Sequence, residues 1–318
     1  MNICVLGGTG FVGTEVVTRL ALDGHWVRVP TRNLERALRL RVLDTVELRV
    51  ADVHAPPTLG QLFAGCDAVI NLVGILNPRR GASFHAVHTE LPGKVLAAAR
   101  AAGVRQVLHM SALGADPQAP SQYLRSKAAG EALLRAAPPS ATQAHPAVTI
   151  LRPSVIFGAG DSLTNRFARL LRLTAGFLPL ARARARFAPI HVLDVAQAFR
   201  AALLDRRSFG RTYQLCGPDV MSLAELVRVT ARVARLPCHI MPLPDPLAQL
   251  QGLVMGLLPG APFSLDNFRS LTVDCLCRED GCAQLGIQPA HLLAVLPTYL
   301  GNDDFESELA VLRRTADR

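Results

Sequence analysis

A glycine-rich turn between a strand pattern and a helical pattern constrains this chain more than any other feature. The apolar run "NICVLG" is typical of a buried strand, and "VLGGTGFVG" leads from it into an amphipathic stretch at 11–22. Gly7, Gly10 and Gly13 fit G-x-x-G-x-x-G, in which glycines permit a tight turn, close approach to a pyrophosphate and close helix–strand packing. Amides at the helix N-terminus then meet the phosphate charge. We therefore expect a bound dinucleotide here, and the loop residues Thr9, Phe11 and Val12 complete its expected site.

The glycines of this turn can also be matched against two other phosphate-binding motifs. Gly8, Gly10 and Gly13 also fit G-x-G-x-x-G, which is the commoner dinucleotide spacing. A P-loop is excluded, because Thr14 stands where that motif requires lysine.

Strand and helix patterns alternate through residue 153, which predicts βαβ units and a parallel sheet. The expected helices lie near 11–22, 34–41, 84–102 and 121–136, with a weaker one at 58–65; the expected strands are "NICVLG", "WVRVP", "VELRVA", "AVINLV", "QVLHM" and "VTILR". Beyond Pro153 the helices shorten, and "SLAELVRVTARVA" is the clearest, since Ser222 and Glu225 can form a capping box. The predicted fold is α/β: a doubly wound parallel Rossmann sheet over 1–153, rejoined by about 187–217, with a smaller and less regular region over 154–318.

Composition narrows the class of protein. Half of the 318 residues are hydrophobic and 19% are charged, which is ordinary for globular proteins. The start of the sequence has no basic segment followed by an apolar one, and no run approaches eighteen apolar residues. We expect a cytoplasmic protein that can lie peripherally at the inner face of a membrane.

The net charge of +9 raises nucleic acid or an anionic membrane as partners. Arginines are spread along the whole chain, however, so the charge is explained better by composition than by a binding patch. The densest cluster, "RARAR" at 182–186, is expected to form a solvated edge. Nucleic acid is not an expected partner.

The end of the second predicted strand bears on cofactor choice. An NAD-type site places an acidic residue there to hold the ribose hydroxyls, whereas "VPTRN" has Thr31 and then Arg32. An uncharged residue followed by arginine suits a 2′-phosphate, so NADP(H) is favoured over NAD(H). The alternative is that Arg32, with Arg36 and Arg39 beyond it, simply faces solvent on a helix.

The pair Tyr123 and Lys127, in "YLRSK", suggests proton transfer. The two residues are four apart on a predicted helix and share a face. A free phenol has a pKa of about 10, which an ammonium and an oxidised nicotinamide together would lower. A lysine can also hydrogen-bond the nicotinamide ribose, which the rigid fork of arginine does poorly. That would explain a lysine in a chain whose basic residues are almost all arginine.

Several further stretches give the chain a resemblance to the short-chain dehydrogenase/reductase superfamily, in its extended or atypical branch. They are "GGTGFVG", "ADV" at 51–53, "NLVG" at 71–74, "HMSALGAD" at 109–116, "YLRSK", "LRPSVIFG" at 151–158 and "HVLDVAQAF" at 191–199. The resemblance covers residues 1 to about 218 well. More narrowly, the chain looks like bacterial relatives of the NADPH-binding accessory subunit of respiratory complex I.

This resemblance implies roles for individual residues. Tyr123 would be the acid/base and Lys127 its partner. The remaining cofactor contacts implied are Asp52 and Val53 at the adenine, Leu72, Val73 and Gly74 along the groove, and Pro153 near the nicotinamide.

The chain departs from the family at two positions. Ser111-Ala112 stands where extended members have Ser-Ser or Ser-Thr, so either Ser111 polarises the substrate in a shifted register or that group is missing. Val87-His88 stands where many members have Val-Asn. Both departures argue against catalytic turnover, and neither affects dinucleotide binding.

Three functions therefore stay open. The first is an oxidoreductase, or an epimerase-like enzyme cycling a hydride, on the carbonyl or hydroxyl group of a small molecule. The second is a catalytically weak NADPH-binding subunit with a protein partner in a membrane-associated redox complex, and the third is a dinucleotide-sensing regulator. Cys275, Cys277 and Cys282 match no familiar metal pattern and are expected to be buried or idle thiols. No metal site is predicted, and His191 and Asp194 are expected to anchor a connection to the first domain.

Overall fold

The structure, a computed structural model, describes residues 1–55, 58–78, 81–136, 146–256 and 263–300. Residues 257–262 and 301–318 of the predicted C-terminal region lie outside that description. The described strands are β1 Asn2–Leu6, β2 Trp26–Thr31, β3 Val46–Val50, β4 Ala68–Asn71, β5 Gln106–Met110, β6 Ala147–Pro153, β7 Ile156–Phe157, β8 Phe177–Ala181, β9 Arg186–Phe187, β10 Ile190–His191, β11 Thr212–Leu215, β12 Met221–Ser222 and β13 His239–Leu243. The described helices are α1 Phe11–Leu22, α2 Thr58–Phe63, α3 Leu91–Ala101, α4 Gln122–Arg135, α5 Thr164–Leu173, α6 Val192–Leu204, α7 Leu223–Val233, α8 Asp245–Gly256, α9 Leu265–Ser270, α10 Gly281–Gln284, α11 Leu292–Val295 and α12 Pro297–Leu300.

Within the described residues, a seven-stranded parallel sheet forms the centre of the fold, and this confirms the predicted fold class. Its strand order is β11-β6-β5-β4-β1-β2-β3, and each neighbouring pair runs parallel. The chain leaves β1 toward β2 on one side and reaches β4 on the other side. The crevice at this reversal, beside the carboxyl ends of β1 and β4, is where open sheets of this kind bind ligands.

Strand β1 shows why its sequence is a continuous apolar run. Successive side chains of a strand point to opposite faces of the sheet. Ile3 and Val5 enter the core under α1 and α6, whereas Cys4 and Leu6 enter the core under α2 and α3. Both faces are covered by helices, so the four buried positions that follow the exposed Asn2 are all apolar.

After Pro153 the chain makes a smaller, less regular region and returns once to the sheet. Strand β11 pairs with β6, with Leu215 opposite Pro153, and α6 packs on α1. The rest builds a second core around Phe157, Leu171 and Val227, bounded by the short pairs β7–β10, β8–β13 and β9–β12. Helix α7 begins with the predicted capping box of Ser222 and Glu225.

Two predicted helices differ from expectation. The segment predicted at 34–41 is a 3₁₀ helix, Leu34–Leu40, and the helix predicted at 84–102 begins with the π-helical segment His85–Glu90 before α3. Pro92 explains the second difference, because it has no N–H to donate to the carbonyl of His88. Gly130 of α4 approaches that carbonyl so closely that a Cβ there would lie 2.0 Å from the oxygen. The π-helical segment and α4 therefore meet without an intervening side chain.

The cysteine prediction needs one correction. Cys277 is not an idle thiol, because it forms a disulfide with Cys216 at the end of β11. Cys275 and Cys282 are free thiols, as expected. Sequence spacing could not reveal the pair, since the two cysteines meet only after the C-terminal region folds back on the sheet.

Candidate functional site

The glycine turn packs against itself and against the end of β4. Gly7 has φ +78°, and a Cβ there would lie 3.1 Å from the backbone of Leu72 and Val73. A Cβ on Gly13 would lie 2.1 Å from the carbonyl oxygen of Gly7. Only glycine fits these two positions. The same close packing brings the turn and the "NLVG" segment to one edge of the sheet.

The first turn of α1 has unsatisfied backbone donors. Its N-cap is Gly10, which offers no side-chain cap, although its own N–H donates to Gly7 O at 3.0 Å. A helix N-terminus of this kind binds anions through its free amides and dipole. Val12 is buried and Phe11 half-buried in the core below, so these residues, with Thr9 in the turn, would contribute mainly backbone groups. The residues present thus fit a dinucleotide pyrophosphate.

Arg32 and Asp52 follow paired ends of β2 and β3. Thr31 lies opposite Val50, and the next amide, that of Ala51, donates to Thr31 O at 3.0 Å. The Thr31 hydroxyl is occupied, because it accepts from the N–H of Asn33 and donates to its carbonyl. Arg32 is exposed, and no ion pair involving it occurs within the described chain.

At the neighbouring end of β3, Asp52 is exposed and its side chain accepts the N–H of His54 at 3.1 Å. Val53 is half-buried and packs against the core under α2 and α3. Both residues therefore lie at the predicted adenine edge of the sheet.

The segment after β4 is held by a buried amide. Asn71 accepts the N–H of Val73 at 3.2 Å and donates to Nδ1 of His109. Burial, assisted by the charge of Lys127, lowers the pKa of His109 to about 3, so its ring is neutral. This network fixes the groove lined by Leu72 to Gly74.

His88 links that groove to α4, a role that the sequence did not reveal. Its Nε2 accepts the N–H of Ile75 at 3.0 Å, and its Nδ1 lies 2.9 Å from the hydroxyl of Ser126. That hydroxyl donates to the carbonyl of Tyr123 at 2.7 Å, so His88 must donate from Nδ1. Burial and the charge of Lys127 lower the pKa of His88 to about 2, and the neutral ring keeps this one tautomer. Chain position 88 was noted only as a departure from asparagine.

Tyr123 and Lys127 share a face of α4, as predicted. The Lys127 side chain is buried, and its Nζ donates to the carbonyl of Met110 at 3.1 Å. A Cβ on Gly74 would lie 3.3 Å from this Nζ, so the ammonium lies at the groove. Burial, opposed by the carboxylate of Glu131, lowers the pKa of Lys127 to about 8.

The Tyr123 ring lies edge-on to Phe84 and His88, with ring centroids 6.0 Å and 5.5 Å away. Burial, with a smaller effect of Cys275, raises the pKa of its phenol. The expected depression of this pKa therefore does not come from the protein alone. The Lys127 ammonium donates instead to the backbone carbonyl of Met110.

Ser111 has an orphaned hydroxyl. Ser111 is 3% exposed, and its Oγ has no hydrogen-bond partner among the described residues, while its backbone N–H donates to Leu151 O at 2.8 Å. A buried polar group without a partner is rare and is frequently functional. Ala112 packs in one apolar cluster with Tyr123, and Pro153 accepts the N–H of Leu113 beside it.

The C-terminal region contributes residues that sequence analysis missed. Asp266 of α9 accepts the N–H groups of Gln122 and Tyr123, at 2.7 Å and 3.0 Å, and so caps α4 together with Ser121. Ser264 donates to Asn77 at 2.8 Å. No local pattern could reveal these contacts, since each joins residues more than 140 positions apart.

A second contact from the same region reaches the residue after Pro153. The hydroxyl of Ser154, next to Pro153, donates to the carbonyl and sulfur of Cys275, at 3.2 Å and 3.4 Å. Cys275 therefore lies beside the segment that follows Pro153.

The remaining predicted residues lie away from this cleft. His191 caps α6 without a side-chain hydrogen bond and packs on Phe157, while Asp194 accepts the N–H of Ala290 at 2.8 Å. Among the described residues, no group of three metal-ligating side chains could hold an ion. In the same part of the chain, no helix is long and apolar enough to cross a bilayer.

Comparisons with known proteins agree with this geometry. The model of the NAD dependent epimerase/dehydratase family matches residues 3–216. The mitochondrial NADH dehydrogenase [ubiquinone] 1 alpha subcomplex subunit 9 of Arabidopsis thaliana is 32% identical over 292 residues, which cover 87% of this chain and 71% of that one. A ceramide reductase of Caulobacter vibrioides is 33% identical over 279 residues, covering 85% and 80%. A nucleoside-diphosphate-sugar epimerase of Staphylococcus aureus superposes with a TM-score of 0.75 at 18% identity, covering 93% of this chain and 100% of that chain; it shows the fold alone.

Proposed function

Since the chain belongs to the NAD dependent epimerase/dehydratase family, we propose that it is an NADP(H)-dependent oxidoreductase acting on the carbonyl or hydroxyl group of a small molecule. The observation that carries the proposal is the buried Lys127 ammonium, which lies between Gly74 of the groove and the helix face that bears Tyr123. Residues 1–153 and the returning segment 187–217 would hold the dinucleotide, and the remainder of 154–318 would form the substrate side. The protein would act in the cytoplasm.

Each site residue has a role in this proposal. When bound, the dinucleotide supplies or accepts a hydride at its nicotinamide ring. Tyr123 gives a proton to the substrate oxygen during reduction, or takes one during oxidation. Ser111 donates its hydroxyl to that oxygen, and Lys127 hydrogen-bonds the ribose. Together with an oxidised nicotinamide, the Lys127 charge favours the phenolate. Arg32 contacts the 2′-phosphate.

The remaining cofactor contacts of the proposal come from the glycine turn and the sheet edge. They are Gly7, Thr9, Gly10, Phe11, Val12, Gly13, Asp52, Val53, Leu72, Val73 and Pro153.

Substitution of Tyr123 by phenylalanine tests the proposal. The ring and its contacts with Phe84 and His88 are kept, so NADPH affinity should change little. Hydride transfer should fall by about a hundredfold or more, as is typical when a general acid–base is removed. NADPH fluorescence gives both the affinity and the rate with a panel of ketone and aldehyde substrates. A rate near that of the unaltered protein would exclude Tyr123 as the acid/base.

A second candidate function is an NADPH-binding subunit with little turnover, and Ala112 favours it. A methyl group there cannot support charge that develops on the substrate oxygen, and loss of one such donor commonly costs about 2.7–4 kcal/mol of transition-state stabilisation. Relatives named as NADH dehydrogenase subunits agree with this candidate, which would place the protein with a partner in a redox complex at the membrane.

Two substitutions separate these candidates. If Ser111 supplies the donor, Ser111→Ala should abolish a robust activity and Ala112→Ser should add little. In a subunit with little turnover, Ala112→Ser should raise slow hydride transfer, while Ser111→Ala should leave it unchanged. NADPH affinity measured in each variant excludes simple loss of cofactor.

A further inference from the structure

Helix α8 exposes an apolar face, defined here as Leu247, Leu250, Leu253 and Val254. These residues recur at three- and four-residue spacing and therefore share one side of the helix. Each is between 53% and 57% exposed. The face is larger than the scattered single apolar residues that normal protein surfaces show, and such clusters mark interaction sites.

The opposite side of α8 is already occupied. Ala248 is fully buried against Ala181 and Phe268, and a Cβ on Gly252 would lie 3.2 Å from the backbone of Leu265. These small residues let α8 pack tightly on β8 and α9. This packing leaves the leucine side of α8 facing solvent.

The neighbouring strand pair extends the apolar surface. Gln251 of α8 donates to the carbonyl of Pro179 at 3.2 Å, which fixes the helix alongside β8. Pro179 lies opposite Met241 in β13, and Phe177 lies opposite His239, on which its ring stacks at 5.1 Å. Phe177 and Met241 are 64% and 61% exposed.

Charge is distributed around this surface and not within it. The sequence has no charged residue between Asp245 and Asp266. Arg182 pairs with Asp245 at the start of α8, at 3.0 Å. Arg184, two residues further along the same turn, and Arg269 on α9, the helix that packs against α8, are both exposed.

We propose that the α8 face docks on an anionic lipid bilayer, with its leucines at the boundary of headgroups and acyl chains and the bordering arginines at the lipid phosphates. An apolar helix face with basic side chains nearby binds at anionic bilayer interfaces in this way. The net charge of +9 adds long-range attraction to anionic lipid. The proposal names a surface beyond the dinucleotide cleft and does not depend on hydride transfer.

Docking would bring the proposed cleft to the lipid surface. Helix α9 packs against α8 and caps the helix that bears Tyr123 through Asp266. The bilayer would therefore lie on the same side of the molecule as α9.

Vesicle sedimentation of the full chain tests the proposal, using phosphatidylcholine vesicles with and without phosphatidylglycerol, at low and high salt. The unaltered protein should sediment with the anionic vesicles and be released partly by salt. The double variant Leu250→Glu/Leu253→Glu should bind about tenfold more weakly or not at all, because charged side chains are excluded from the apolar boundary. The matched control, Leu22→Glu/Val42→Glu, adds the same charge at exposed positions of the first half and should bind only slightly more weakly than the unaltered protein.

Several outcomes would overturn the proposal. One is failure of the unaltered protein to sediment with any vesicle. Another is an equal loss of binding in the two double variants. A third is that the unaltered protein self-associates and that only the α8 variant abolishes this self-association, while the variant still binds vesicles as the unaltered protein does. The α8 face would then join copies of the chain. Circular dichroism melting and NADPH affinity show that each variant is folded.

Discussion

The two halves of this molecule hold their functional residues by different means. In the first half the glycine turn is fixed by its own backbone, where Gly7 and Gly13 leave no space for a side chain. In the C-terminal half, Asp266 and Ser264 reach across to α4 and to the segment after β4. Dinucleotide binding is therefore encoded locally, while the orientation of the proposed acid/base depends on residues distant in sequence.

Gly13→Ala should have the largest effect and would test the first half of this comparison. The added methyl would lie 2.1 Å from Gly7 O, so the turn must move. We expect the free energy of unfolding to fall by about 3 kcal/mol, at the upper end for overpacking, and dinucleotide binding to be lost. Calorimetry and NADPH titration measure both quantities. Gly60→Ala, which has open space inside α2, is the control and should raise stability by up to about 1 kcal/mol. Equal results for the two variants would contradict a backbone-defined site.

Arg32→Asp should have the next largest effect. A charge-assisted hydrogen bond contributes about 1.5–3 kcal/mol, so NADPH should bind about ten- to a hundredfold more tightly than NADH. The substitution should erase or reverse this preference, whereas Arg39→Asp, at an exposed position of the 3₁₀ segment that follows, should keep most of it. Equal affinities of the unaltered protein for the two dinucleotides would refute the role of Arg32.

His88→Asn should change how stability depends on pH. The lowered pKa of His88 means that the folded protein leaves the ring neutral, while the unfolded chain binds a proton below about pH 6.5. Stability therefore falls as the pH falls below 6.5, by about 1.4 kcal/mol per pH unit for one such residue. His109, lowered by the same cause, contributes similarly. The variant should lose about half of this slope in denaturant titrations between pH 4 and 6.5, and an unchanged slope would contradict a buried neutral His88.

Asp266→Ala should have the smallest effect on stability and tests the second half of the comparison. Loss of a helix cap costs about 1 kcal/mol. Hydride transfer should fall through a lower kcat, with NADPH affinity unchanged, because only the start of α4 loses its partner. Glu279→Ala, an exposed carboxylate of the same region, is the control. A matching loss of NADPH affinity would instead mean that the two halves are not separable.

Sequence analysis predicted the first half well because its patterns are local. A buried parallel strand must be apolar on both faces, and a turn that lies close to a neighbouring backbone requires glycine. The strand β1 and the role of Gly7 could therefore be predicted directly from the sequence. The disulfide partner of Cys277, the cap from Asp266 and the link through His88 were not, because each depends on how distant segments meet. The 3₁₀ and π-helical segments were predicted as ordinary helices for a related reason. Their hydrophobic periodicity is that of a helix, whereas the type of helix depends on hydrogen bonds that single residues such as Pro92 change.

The disulfide between Cys216 and Cys277 closes a covalent ring that spans 61 positions and includes α7, α8 and α9. In the chain-entropy description, such a ring disfavours the unfolded state by about 4 kcal/mol. A protease that cut once within 217–276 would leave the two pieces joined, so the nick would appear on a denaturing gel only after reduction. The same ring keeps Asp266 tethered to the sheet, so its encounter with α4 is intramolecular even after the chain has been cut.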